Sequence, residues 1–275
     1  MLERPMLSFA TGDGVSLRFQ VDDFTNPWEQ SETLILIHAA MGSSRRMHLW
    51  VPHLARDVRV VRPDMRGHGQ SMIGPDDTLD LERLTLDVVE LMDHLGIDSA
   101  HLAGSSAGGA VAMNTAITFP DRVKSLGAFA TLPGLKVSAG HTQYGSWVDR
   151  IGSDGIAGFL RKTIADRFDV EAVDPDFIDW FIAESARNDP ESLRRFVPMM
   201  AAVDISGRLG DIHCPTLCVV PGSDPIHTPE QYALLKDGIA DCRFVTYDAK
   251  GHNITDAFPD RCAQDLVSFL RDIRR

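Results

Sequence analysis

The sequence predicts an α/β protein, a mostly parallel, doubly wound sheet of eight strands with a helical segment inserted between two of them. Three observations predict it. Strand-like runs alternate with helical patterns along most of the chain. The run Thr33–Ile37 (Thr-Leu-Ile-Leu-Ile) is continuously apolar, which suits a strand covered on both faces, as in a parallel sheet. From about Pro133 to Asp211 the alternation stops, and three helical patterns replace it.

The elements follow in order. Met6–Thr11 and Val15–Val21 read as two strands around Gly12-Asp13-Gly14, where Asp-Gly is a strong hairpin signal. Val58–Arg62 is a short strand closed by Pro63-Asp64. Leu81, Leu84, Val88, Leu91 and Leu95 recur at helical spacing, and Gly96 ends that helix. His101–Gly104 is a strand, followed by a helix of small residues that runs to about Thr118. Ser125–Ala130, Thr216–Val220 and Arg243–Tyr247 are further strands. Cys262, Leu266, Phe269 and Ile273 mark one face of a closing helix. Helical patterns around Ser146–Phe168, Pro175–Arg187 and Glu191–Val203 fill the insertion. The expected division is therefore a core of residues 1–132 and 212–275 and a helical cap of residues 133–211 over one end of the sheet.

Composition excludes several function classes. The net charge of −12 and a pI near 5.2 oppose binding to nucleic acid, and no run of Lys and Arg exceeds two. No apolar stretch approaches the ~18 residues of a membrane span. The first residues carry an early acid and lack the apolar core of a signal peptide. Cys214, Cys218, Cys242 and Cys262 show no metal-binding spacing, so free thiols in a reducing cytoplasm are expected. No metal or cofactor is expected, and the chain is expected to be a monomer or homodimer acting on a small molecule.

Gly104-Ser105-Ser106-Ala107-Gly108 carries the chemistry. It is a Gly-x-Ser-x-Gly pattern between a strand and a helix, which makes Ser106 the candidate nucleophile. A serine at such a sharp turn adopts a strained backbone and juts from the sheet. The helix N-terminus beneath it aims free N–H groups at developing negative charge.

A serine hydroxyl needs a base, and the base needs an orienting acid. His252 lies between the last strand and the last helix, at the sheet edge where catalytic groups of parallel sheets gather. His38, His68 and His227 also fall on loops after strands, His38 ordering its own loop and His68 sitting in a turn. His48, His53, His94, His101, His141 and His213 read as helix, strand-start or surface residues. Asp224 follows the strand Thr216–Val220 and precedes the helix near Pro229 by too much to cap it directly. Asp248 and Asp256 lie too near His252 in sequence to orient it easily.

Together, His38-Ala-Ala-Met-Gly42, Asp64-Met-Arg-Gly-His-Gly-Gln-Ser71, the Ser106 turn, Gly222-Ser-Asp224 and Gly251-His252 resemble the α/β-hydrolase fold superfamily over essentially the whole chain. Length and insertion resemble its small bacterial 3-oxoadipate enol-lactonases, carbon–carbon bond hydrolases of aromatic ring cleavage, and carboxylesterases. The resemblance implies an oxyanion hole from the N–H groups of Ala40 and Ala107, with Met41 as the alternative to Ala40. Many relatives have His-Gly where this chain has His38-Ala39, which bears on the placement of that donor. Serine at position 106 sets the chain apart from relatives with an aspartate nucleophile.

The expected activity is hydrolysis of a small, carboxylate-bearing or ring-derived ester, lactone or amide through an acyl-enzyme. Carbon–carbon bond hydrolysis is the rival chemistry, and a ligand receptor on the same fold is the non-enzymatic alternative. Candidate substrate contacts are His38, Arg45, Arg46, Ser105, Trp147 and Arg150, with Arg161 and Arg167 as further arginines of the insertion able to pair with a carboxylate.

Overall fold

The computed structural model describes residues 6–134 and 143–274, which leaves His141 outside the described residues. β1 (Leu7–Ala10) and β2 (Ser16–Asp22) form the antiparallel hairpin, closed by a 2.9 Å bond from the Thr11 N–H to the Val15 carbonyl. β3 (Thr33–Ile37), β4 (Arg59–Pro63), β5 (Ala100–Ser105), β6 (Val123–Phe129), β7 (Thr216–Ser223) and β8 (Cys242–Lys250) complete one sheet. Its strand order is β1-β2-β4-β3-β5-β6-β7-β8. β2 pairs antiparallel with β1 and β4, and every pairing from β4 onward is parallel.

The helices are α1 (Val51–Leu54), α2 (Leu81–His94), α3 (Ala107–Thr118), α4 (Gln143–Lys162), α5 (Ile164–Arg167), α6 (Pro175–Ser185), α7 (Pro190–Ala202), α8 (Pro229–Gly238), α9 (Ile254–Ala257) and α10 (Pro259–Ile273). The pleat of β3 divides the core. Ile35 and Ile37 point to the side of α2 and α3, while Leu34 and Leu36 point to the side of Trp50 and α10. All four are fully buried, which is why β3 reads as an unbroken apolar run.

Helices α4–α7 lie between β6 and β7 and build a core of their own around Phe159, Phe168, Phe181 and Leu193. Met41, from the loop after β3, belongs to that same cluster and joins it to the sheet edge.

Three local features differ from the sequence reading. Gly155, at φ +68°, interrupts the first helix of the insertion. A one-turn helix, α9, precedes the closing helix, because Phe258 leaves helical geometry and Pro259 starts α10 at the first-turn position that proline tolerates. Ser44–Trp50 forms a 3-10 helix that no apolar period announced.

Arg66 is the electrostatic tie of the N-terminal half. It is fully buried and forks onto Asp87 of α2 at 2.8 Å and Asp13 of the hairpin turn at 2.8 and 2.9 Å. Replacing one member of such a group leaves a charge buried without its partner. Arg66→Met is therefore expected to cost about 3–5 kcal/mol, a fall of roughly 10 °C in the thermal midpoint by calorimetry.

Candidate active site

The turn at Ser106 is built by close approach. A Cβ on Gly104 would strike the Gly108 backbone, and a Cβ on Gly108 would lie 2.6 Å from the Ile37 carbonyl oxygen. Glycine at both positions lets the start of α3 rest against the end of β3. That contact sets the loop after β3 beside Ser106. Ser106 itself sits at φ +49°, ψ −115°, an unfavourable region for a residue with a side chain. Its N–H donates to the Phe129 carbonyl at 2.9 Å, and the Thr131 hydroxyl donates to the Ser106 carbonyl.

His252 reaches Ser106 from the loop after β8. Its Nε2 is 3.0 Å from Ser106 Oγ, and its Nδ1 is 2.8 Å from Asp224 Oδ2. An ionised carboxylate only accepts, so the proton sits on Nδ1 and Nε2 is left to accept from the serine hydroxyl. Asp224 is held from two further sides. The Ile226 N–H donates to Oδ1 at 2.8 Å, and the Tyr232 hydroxyl donates to Oδ2 at 2.5 Å. Burial opposes its ionisation, but the charge and hydrogen bond of His252, with His227 and Tyr232, outweigh burial and keep Asp224 below the ordinary carboxylate range.

These groups open onto a cavity of about 90 Å³. Ala39, Ala40, Met41 and Ala107 form the wall beside Ser106, and Trp147, Phe196 and Met200 of the insertion form the facing wall. Met41 adopts φ +59°, and the Gly42 N–H closes the turn on the Ala39 carbonyl at 3.0 Å. From the insertion, the Asn188 side chain donates to the Met41 carbonyl at 3.1 Å, which braces this turn. Among the described lining residues, Arg167 carries the one permanent charge. It is buried, its Nη1 donates to the Thr163 carbonyl and hydroxyl, and its guanidinium lies 5.3 Å from the ring centroids of Trp147 and Phe159.

Of the residues expected to touch substrate, Trp147 lines this cavity. Three others do not line it and have partners elsewhere. His38 accepts the Met65 N–H on Nε2 and donates from Nδ1 to the Ala39 carbonyl, so it orders its own loop. Ser105 Oγ meets Thr255 Oγ1 at 2.8 Å behind the turn. Arg46 forks onto Asp256. Arg45 pairs with Glu184 in a separate surface groove, and Arg150 lies over the Phe159 ring, 5.2 Å from its centroid. Tyr232 and Asn188 were not singled out from sequence. Tyr232 is one turn into α8, whose Thr228–Gln231 capping box was the available signal.

The alpha/beta hydrolase fold family model matches residues 32–259. This chain belongs to the alpha/beta hydrolase fold family. It is 26% identical to 3-oxoadipate enol-lactonase 1 of Acinetobacter baylyi over 87% of this chain and 89% of that one. It is 29% identical to 2-hydroxy-6-oxo-6-phenylhexa-2,4-dienoate hydrolase of Comamonas testosteroni over 88% of each. A further match, 41% identical over 103 residues to the dihydrolipoyllysine-residue acetyltransferase component of the acetoin cleaving system of Pseudomonas putida, spans only 28% of that protein's length. The enol-lactonase structure from Burkholderia xenovorans shares the fold, with a TM-score of 0.87, 23% identity and coverage of 96% of this chain and 100% of that one. Among the described residues no group of three or more His, Cys, Asp or Glu is arranged to hold a metal, and no helix is long and apolar enough to cross a membrane.

Two buried histidines support the site from beneath. Burial pushes His38 down to about 4 and His68 down to about 3, so both are neutral in the fold. Once unfolded they bind a proton near 6.5, and the unfolded state then holds more protons than the native state. Stability is therefore expected to fall as pH drops from about 6.5 toward 4. Urea midpoints across that range measure the slope, and His68→Gln is expected to flatten it.

Proposed function

We propose that the protein is a serine hydrolase that cleaves a small, carboxylate-bearing ester or lactone through an acyl-enzyme. The observation that carries this reading is the unbroken line from Asp224 through His252 to Ser106 Oγ, ending in the cavity. His252 Nε2 takes the hydroxyl proton as Oγ attacks the substrate carbonyl. The N–H groups of Ala40 and Ala107 receive the oxyanion, each such donor typically contributing roughly 3–4 kcal/mol to the transition state. The C–O bond breaks, and the leaving oxygen takes the proton from His252. Water then gives a proton to the same nitrogen and attacks the acyl carbon; the acyl–Oγ bond breaks, Ser106 Oγ takes that proton from His252, and the acid leaves.

A cavity of about 90 Å³ favours a small acyl group. Arg167 favours an anionic one. A guanidinium in an apolar wall gains most from a bidentate carboxylate, because little water competes for it. The insertion supplies both Arg167 and the aromatic wall, and we read it as the cap that sets specificity. The similarity to a dienoate hydrolase favours one second reading, cleavage of a carbon–carbon bond beside a carbonyl by the same serine and histidine.

Ser106→Ala is expected to abolish steady-state turnover of p-nitrophenyl acetate, by about 10³-fold or more, with an unchanged thermal midpoint. Retention of near-normal kcat contradicts the proposal. Slow labelling by a fluorophosphonate without repeated turnover in the unmodified protein supports the receptor alternative instead. Arg167→Met is expected to lower the ratio of kcat/KM for a carboxylate-bearing ester over a neutral ester by about tenfold or more. An unchanged ratio removes the carboxylate from the proposed substrate.

A further inference from the structure

Helix α9, one turn long and directly after His252, is tied to each part of the candidate site. Its Asp256 accepts two bonds from Arg46, at 2.8 Å from Nε and 2.6 Å from Nη2. The two side chains are 2% and 4% exposed. Arg46 belongs to the 3-10 helix that follows the turn presenting Ala40. A Cβ on Gly42 would lie 3.3 Å from Arg46 Nη1, so the guanidinium backs directly against that turn. The guanidinium also stacks 4.2 Å from the ring centroid of Phe181 on α6.

The other ties run to the same short helix. The Thr255 carbonyl accepts from Trp50 Nε1 at 3.1 Å, and its hydroxyl meets Ser105 beside the nucleophile. The Asn253 side chain donates to Asp256 Oδ2 at 3.1 Å and carries the contact back to the residue after His252.

A buried ion pair is a poor source of stability compared with apolar side chains of similar volume. Its fork does fix a distance and an angle between two segments. Here those segments are the Ala39–Gly42 turn and the His252 loop, which lie on opposite sides of Ser106 and share no strand. The geometry points to Arg46 and Asp256 as a positioning pair that sets the span between the oxyanion-binding turn and the base. This rests on the serine-hydrolase reading above. Neither side chain lines the cavity. Arg46 acts through Gly42, and Asp256 acts through Asn253.

The test compares the full chain with Arg46→Met/Asp256→Leu, which removes both charges together, and with Arg46→Lys, which keeps the charge but loses the fork. Hydrolysis of p-nitrophenyl acetate and inactivation by diisopropyl fluorophosphate are measured beside the thermal midpoint. The double variant is expected to hold its midpoint and KM while kcat and the inactivation rate fall about 100-fold, the scale of a 1 Å misplacement. Arg46→Lys is expected to lose about tenfold in kcat with KM unchanged. A folded variant of either kind with kcat within about threefold of the unmodified protein overturns the pair's role, as does a change confined to KM. Should the double variant fail to fold, Arg46→Lys decides. An unmodified protein that neither turns over nor becomes labelled overturns the hydrolase reading itself, a result distinct from loss of the pair's role alone.

Discussion

The backbone of Ser106 stands where an alanine or serine is uncomfortable, at φ +49°, and much of the site exists to hold it there. Such a conformation costs of order 1–3 kcal/mol and persists only when the surroundings leave no alternative. The surroundings here are backbone. β6 accepts the Ser106 N–H through Phe129, Gly109 and Ala110 of α3 donate to the Ser106 carbonyl, and Gly108 lies flush against the end of β3. The strain turns the hydroxyl out of the sheet and leaves the first N–H groups of α3 facing the same space. One local constraint thus presents both the proposed nucleophile and part of the proposed oxyanion site.

The cavity wall carries a positive charge although the molecule as a whole is negative. The chain carries −12, a field that disfavours anionic substrates at long range. Salt screens that field within about 8 Å at physiological ionic strength, whereas a buried guanidinium acts at contact distance in a low dielectric. In the proposed reading Arg167 therefore governs binding in the cavity against the net charge. Several other buried charges sit in ion pairs. Arg46 with Asp256 and Arg62 with Asp22 are each bidentate or forked, and Arg66 is matched by Asp13 and Asp87.

What the sequence makes legible is what is local. Asp13-Gly14 announces the hairpin, the apolar run at Thr33–Ile37 announces a strand covered on both faces, and the two glycines around Ser106 announce the turn. Each depends on residues a few positions apart. The fold class follows from such signals, as does the loop position of His252 after the last strand. The direction of the polar side chains near the site was not legible. Arg46 and its partner are 210 residues apart, Asn188 and Met41 are 147 apart, and Ser105 and Thr255 are 150 apart. An arginine three or four residues past the Ala39–Gly42 turn reads as a substrate contact until its carboxylate is located.

The most direct test of the account is the site of covalent capture. Protein treated with diisopropyl fluorophosphate is digested and mapped by mass spectrometry, with Asp224→Asn treated in parallel. The account predicts one adduct, on the peptide that contains Ser106, forming far more slowly in the Asp224→Asn protein because His252 then loses the acceptor that sets its tautomer. An adduct at another serine, or continued ester hydrolysis by a protein whose Ser106 is fully blocked, contradicts it.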